Sequence, residues 1–334
     1  MLKKYSKFAA LMTAAAILAA CGGSADKPAA ESKPAAGQAA AADKLAARFV
    51  TIATGGASGP YNIIGTSLAE AYAKVYGVNA KTQSTGASVE NLNLLDQGKA
   101  EMAFVMSDAL NDAVKGTGSF QKPLDSVAQI AALYPNYVQI VASAKSGIRS
   151  IEDLRGKRVA VGAQNSGVEL ASRALLNGFG ITYNDLKVDF LGYAEAADAL
   201  KSGKLDAAFL TSGLPNSSLM ELQQGFDLQL VSVPADKLGE IAKTSPFFNP
   251  MPIPAGTYNN AEDVPTAAIL NALVVRADLS EDDVYKLTKT FFESLDTLKT
   301  AHQAAGSISL EAAQKGLVAP LHPGAKRYYD EAAK

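Results

Sequence analysis

From residue 49 onward, short all-apolar stretches alternate with longer ones whose apolar positions recur every three or four residues. The first kind suits strands covered on both faces, the second helices with one buried stripe. The pattern predicts strands over 49–53, 80–84 and 102–106, with helices over 60–76 and 89–97 between them. After an extended crossover near 133–143 the order repeats, with strands over 158–161, 187–191 and 207–210 and helices over 167–177 and 195–201. Such alternation implies an α/β fold with largely parallel pairing. Extended segments over 253–258 and 267–275 carry the chain back towards its first half. Ser280-Glu281-Asp282-Asp283 caps and charges the start of a long helix reaching about Ala305. A helix near 310–315 and a tail from His322 close the chain.

The repetition extends to the letters. Residues 95–104 match 200–209 in character: in both, a helix ends at Gly-Lys, an acid follows, and a buried strand runs to a small polar residue, Ser107 or Thr211-Ser212. Two similar lobes in one chain imply a cleft, and ligands of open α/β sheets sit at the carboxyl ends of strands. The expected lobes are 48–133 together with 255–334, and 134–254. Hinges are expected near 134–138 and 250–256.

Three loops at strand ends are candidate ligand contacts. The first, Thr54 to Tyr61, holds Gly55, Gly56 and Gly59, which let backbone approach a ligand, and Pro60, which suits a first helical position. Free N–H groups there, with the Ser58 hydroxyl, suit an anionic or carbonyl oxygen. The second lobe has its counterpart in Gly162 to Gly167, and a third loop is Thr85-Gly86-Ala87-Ser88. The expected contacts are Gly55, Gly56, Ser58, Thr85, Gly86, Ser88, Asn165, Ser166, Gly167 and Thr211. Tyr61 and Tyr134 are expected to wall the cleft. Ser58, Thr85, Ser88, Asn165 and Ser166 are the expected hydrogen-bond donors, acting from opposite lobes.

The N-terminus changes the picture of where this body works. Lys3, Lys4 and Lys7 precede an apolar run from Phe8 to Ala20, too short to span a bilayer, so residues 1–20 read as a signal peptide. Cys21, the one cysteine, directly follows Leu18-Ala19-Ala20, which resembles the lipobox of bacterial lipoproteins. Lipidation at Cys21, worth about 0.8 kcal/mol per buried methylene, would anchor the protein to a bacterial membrane in the periplasm or outside the cell. Residues 21–47 are Ala- and Pro-rich and read as a disordered tether with a reach of roughly 25–30 Å. Removing the three leader lysines leaves 28 basic against 33 acidic residues, a formal charge of −5, which gives no footprint for nucleic acid. With Cys21 lipidated, no disulfide is available.

Catalytic constellations are not complete. Gly56-Ala57-Ser58-Gly59-Pro60 has proline where a nucleophile elbow needs its last glycine, and His302 and His322 both fall in the C-terminal region. Phosphate-loop and dinucleotide fingerprints fail at 93–100 and at Gly55-Gly56-Ala57, and nothing has metal-ligand spacing. No cofactor and no enzyme activity are expected. A surface lipoprotein acting as adhesin or sensor, or an esterase using Ser58, are the alternative readings.

Several stretches carry a family resemblance: Thr54 to Tyr61, Ser88-Val89-Glu90-Asn91-Leu92, Leu133-Tyr134-Pro135, Asp153 to Val159 and Ser166-Gly167-Val168-Glu169. Gly203-Lys204-Leu205-Asp206-Ala207, Ile253 to Tyr258 and Pro320 to Ala325 continue it. In these the chain resembles the TAXI family of solute receptors for tripartite ATP-independent periplasmic (TRAP) transporters. The resemblance implies a type II periplasmic-binding-protein fold, capture of a small organic acid such as glutamate or 2-oxoglutarate, and delivery by a monomer to TRAP membrane subunits. Two departures lie beside the expected cleft: Met106 stands before Ser107-Asp108 where Gln is frequent, and Gly59-Pro60-Tyr61-Asn62 lacks the usual aromatic pair.

Overall fold

The computed structural model describes residues 44–334. The leader, Cys21 and residues 22–43 of the expected tether lie outside the described residues. The first half begins with β1 (Phe49–Ala53), α1 (Pro60–Tyr76), β2 (Asn79–Gln83), α2 (Ser88–Asp96), β3 (Met102–Met106) and α3 (Ser107–Lys115). The long β4 (Val127–Ser143) then crosses into the second half. There follow β5 (Arg158–Ala160), α4 (Gly167–Gly178), β6 (Lys187–Asp189), α5 (Tyr193–Lys201) and β7 (Ala207–Ser212). After α6 (Ser217–Leu222), β8 (Leu228–Val231), α7 (Ala235–Ile241) and β9 (Asn249–Ile253), β10 (Val264–Arg276) returns to the first half, where α8 (Glu281–Glu293), α9 (Leu295–Ala301) and α10 (Pro323–Ala332) finish the chain.

The strands form one sheet in the order β2-β1-β3-β10-β4-β7-β5-β6, with β8 on β4 and β9 on β10. Each half holds a parallel trio, β2-β1-β3 or β6-β5-β7, closed by an antiparallel long strand, β10 or β4. The expectation of largely parallel pairing therefore holds only within the trios. The two long strands pair antiparallel, Pro135 opposite Leu270 and Asn136 opposite Ile269, at the centre of the molecule.

The all-apolar strands follow from helices on both faces of the sheet. Val50 and Ile52 of β1 and Met102 and Phe104 of β3 face the core under α1, α8 and α10, while Ala53, Ala103 and Val105 face α2 and α3. On α1, Ile64, Leu68, Tyr72 and Tyr76 recur at four-residue spacing and are all buried. The second half repeats the arrangement: Val159, Ala207 and Phe209 point one way, Ala160, Ala208 and Leu210 the other. No helix among the described residues is long and apolar enough to cross a membrane.

Several expectations need correction. The return crossing lies in β10 near Ile269–Leu270, not at 250–256, because Tyr258 packs into the second half's core and Ala267 and Ile269 do likewise. Residues 255–269 thus sit with the second half. The expected helix to Ala305 breaks at Ser294, so that Leu298 of α9 can turn into the first half's core. The segment 310–315 holds only a short 3-10 turn, Ala312–Gln314. The expected tail is α10, whose first turn His322 caps by accepting from Gly324 N at 3.2 Å. Helices α3, α6 and α7 and strand β8 had no predicted counterpart. The tether gives out before 47: Ala46 and Ala47 N–H donate to the two Asp283 carboxylate oxygens at 2.8 Å each, and Leu45 packs on the core.

Candidate ligand-binding site

One cavity of about 440 Å³ lies between the two halves of the sheet. Its walls come from the loops after β1, β2 and β6 and the loop before α4, with Met106, Asn136, Thr211 and Ser212 completing it. Four helices begin there: α1 at Pro60, α2 at Ser88, α4 at Gly167 and α5 at Tyr193. The four N-terminal N–H groups of any helix have no partner inside it. Only α4 has a side-chain cap, Ser166 Oγ accepting from Glu169 N at 3.0 Å. Gly59, Ala87 and Gly192 occupy the other three cap positions and offer no side-chain acceptor. Ala87 sits at φ 78°, a left-handed conformation that costs a residue with a Cβ about 1–3 kcal/mol. The first-turn donors of α2 and α5, one helix from each half, are therefore left for whatever occupies the cavity, while α1, which opens on Pro60 and bonds Asn62 and Ile63 N–H to the Gly59 carbonyl, leaves only the Tyr61 N–H.

The lining is otherwise neutral. Among the described residues that line it, Glu195 alone carries a charged side chain, which is exposed, and none is Lys, Arg or His. Tyr61 and Tyr193 are phenols whose pKa burial pushes upward, so both remain neutral donors. Tyr61 donates to Asn271 Oδ1, and Tyr193 donates to the Thr211 carbonyl at 2.6 Å. Thr85 Oγ1 lies within 3.0 Å of the Thr54 carbonyl and 2.6 Å of Asn91 Oδ1, and it accepts from Ala87 N. Ser88 Oγ accepts from Met106 N at 3.1 Å. Both hydroxyls thus hold the third loop in place as well as facing the cavity.

The halves meet around this space. A Cβ built on Gly167 would stand 2.7 Å from both Met106 Sδ and Ser88 Oγ, so only glycine permits that approach. Ser217 Oγ donates to the Ser58 carbonyl at 2.5 Å, and Gln303 Nε2 donates to the Leu214 carbonyl at 3.3 Å. His302 Nε2 lies 3.2 Å from the Pro215 carbonyl on the same seam.

Of the expected contacts, the structure brings Gly55, Gly56, Ser58, Tyr61, Thr85, Gly86, Ser88, Ser166, Gly167 and Thr211 to this one cavity. Two lie elsewhere. Tyr134 is 1% exposed and packs in the first half's core, while Asn136 further along the same strand lines the cavity. Asn165 is exposed, with φ 59°, and turns to a shallow groove on the second half beside the Arg173–Glu169 ion pair. Sequence reasoning assigned no ligand contact to Asn136, Tyr193, Glu195 or Ser212, and placed Met106 beside the cleft only as a departure from the family pattern. The internal repeat held a signal for Tyr193, since the loop from β6 to α5 occupies the place of the loop from β2 to α2. Asn136 had none, being a polar letter inside a long strand.

A model of the NMT1-like family matches residues 52–332. Among solved structures, the periplasmic binding protein BugD aligns with TM-score 0.56 at 14% identity, covering 86% of this chain and 95% of its own. The alkanesulfonate-binding protein SsuA from Xanthomonas axonopodis pv. citri, bound to MOPS, aligns with TM-score 0.50 at 13% identity, covering 85% of this chain and 84% of its own. At such identities the likeness is one of fold, the mixed α/β type II periplasmic-binding-protein fold. With the family match spanning nearly all of the described residues, the chain belongs to the NMT1-like family.

Proposed function

We propose that this NMT1-like protein is an extracytoplasmic solute receptor that closes its two halves around a small organic acid and delivers it to a membrane transporter. The observation that carries this reading is the convergence of uncapped helix N-termini from both halves on one cavity without basic side chains. Each N-terminus presents the positive end of a helix dipole, and those of α2 and α5 add free first-turn N–H donors, which together suit a carboxylate without a counter-ion. The cavity volume falls within the range of small-molecule sites. A ligand bridging both sets of donors binds the shut form better than the open one, which is what shifts the population towards closure. The resemblance to TAXI receptors favours a TRAP transporter as partner, a monomeric receptor, and glutamate or 2-oxoglutarate among the solutes. The lipobox-like sequence at Cys21 favours a lipid anchor.

A panel of amino, hydroxy, oxo and dicarboxylic acids tests this in thermal melts of ligand-free protein. At a hundredfold excess over Kd, one member stabilises the fold by about 2.7 kcal/mol, a rise of roughly 5 °C. If no acid shifts the midpoint while a neutral solute does, the carboxylate reading is wrong.

A further inference from the structure

The segment after β7 is fixed to the second half and reaches across to the first. Asn216 holds it from behind: its N–H donates to the Tyr258 hydroxyl oxygen at 2.6 Å, and its Nδ2 donates to Ser212 Oγ at 3.0 Å. The Tyr258 proton goes to Gln139 Oε1 at 2.5 Å, which leaves the phenol oxygen free to accept. Three hydrogen bonds then cross to the first half. The Leu214 carbonyl accepts from Gln303 Nε2, and Ser217 Oγ donates to the Ser58 carbonyl. The third has its direction fixed by a neighbour: His302 Nδ1 accepts from Ala304 N at 3.1 Å, so the neutral ring carries its proton on Nε2 and donates it to the Pro215 carbonyl at 3.2 Å. Gly213 permits the approach. A Cβ there would stand 2.8 Å from Ala304 Cβ and 3.0 Å from the Tyr134 ring, and space alone demands glycine, since its φ lies outside the left-handed region. Gly213, Leu214, Pro215, Ser217, His302 and Gln303 are all absent from the cavity lining.

From this seam we infer that residues 213–217 form a latch that holds the two halves together whether or not a solute is bound, so that groups which never touch the solute set part of the affinity. The inference rests on the receptor reading above only in requiring that the halves can part; it is independent of the solute's chemistry. A bond across the seam favours the shut arrangement by the same factor for every solute, whereas a contact inside the cavity discriminates among solutes. At the usual net worth of a hydrogen bond, each one lost lowers the shut-to-open ratio about fivefold.

The test is double electron–electron resonance on solute-free protein carrying Cys21→Ser, with spin labels at Lys99→Cys and Lys187→Cys, exposed positions near the amino ends of β3 and β6. The parent is expected to show mainly the shorter distance between halves. Ser217→Ala combined with Gln303→Ala, checked for an unchanged circular dichroism spectrum, raises the long-to-short ratio tenfold or more. Gly213→Ala moves it the same way by crowding the seam rather than deleting a bond. Met220→Ala, an exposed change on α6 outside the seam, leaves the distances as they are. A parent with only the longer distance overturns the latch, and so does a double variant whose distances match a two-distance parent. One short distance in every variant, unmoved by the panel of acids, overturns the latch and sinks the receptor reading with it, because the halves then do not part. Opening in the seam variants while no acid in the panel binds upholds the latch and sinks the organic-acid reading alone.

Discussion

Asp108 is the second residue of α3, after Ser107, and its carboxylate oxygen accepts from Ala109 N at 2.8 Å. Burial nevertheless pushes its pKa from 3.8 up to about 7. A folded pKa raised above the unfolded value means that its stabilising share is complete below pH 3.8 and is lost as pH rises through 7. Above that, the fold holds an ionised carboxylate in surroundings that disfavour it. Asp108→Asn is therefore expected to raise stability at pH 8 by roughly 1–4 kcal/mol and to leave it little changed near pH 4. Urea unfolding at the two pH values measures the difference, and equal gains at both would rule the cause out. At this scale the sequence was legible for hydroxyls and glycines in loops. It was silent for Asn136, whose remaining hydrogen-bonding capacity depends on which neighbours have already used theirs.

At the scale of elements, the loop-to-helix junctions do the positioning. Gly55 to Tyr61, Thr85 to Ser88 and Ser166-Gly167 were readable because glycine, proline and capping residues punctuate a chain locally. Helix α4 depends on such a junction twice, through the Ser166 cap and through the missing side chain at Gly167. Gly167→Ala adds a methyl where Met106 and Ser88 already stand, a strain of about 1–3 kcal/mol at the contact between the halves. The expected result is a melting temperature lowered by roughly 2–5 °C without ligand and about tenfold weaker binding of the best acid from the panel. An unaltered affinity would show that the halves do not approach as closely in the bound state. Elements without punctuation were missed for the same local reason: α3 starts on the residue after β3, with neither glycine nor proline between them.

For the whole molecule, β4 and β10 join the two halves at the centre of the sheet, and the chain's entry point is tied to the first half by Asp283. Asp283 is 3% exposed and holds the backbone of Ala46 and Ala47, with Ser280 Oγ accepting from its own N–H at 3.1 Å. Asp283→Ala is expected to cost about 1–3 kcal/mol, with faster amide hydrogen exchange over 45–48 and unchanged ligand affinity. Exchange as slow as in the parent protein would mean that Leu45 packing alone secures the segment. By itself the sequence determined the alternation of buried strands and amphipathic helices, the twofold repetition, and the loops that line the cavity, because each is written in neighbouring residues. Tertiary structure alone decided that β4 and β10 pair at the centre, that residues 255–269 join the second half, and that Asn136 lines the cavity. Those outcomes depend on partners more than a hundred residues apart, and local periodicity carries no record of which distant strand or side chain will be met.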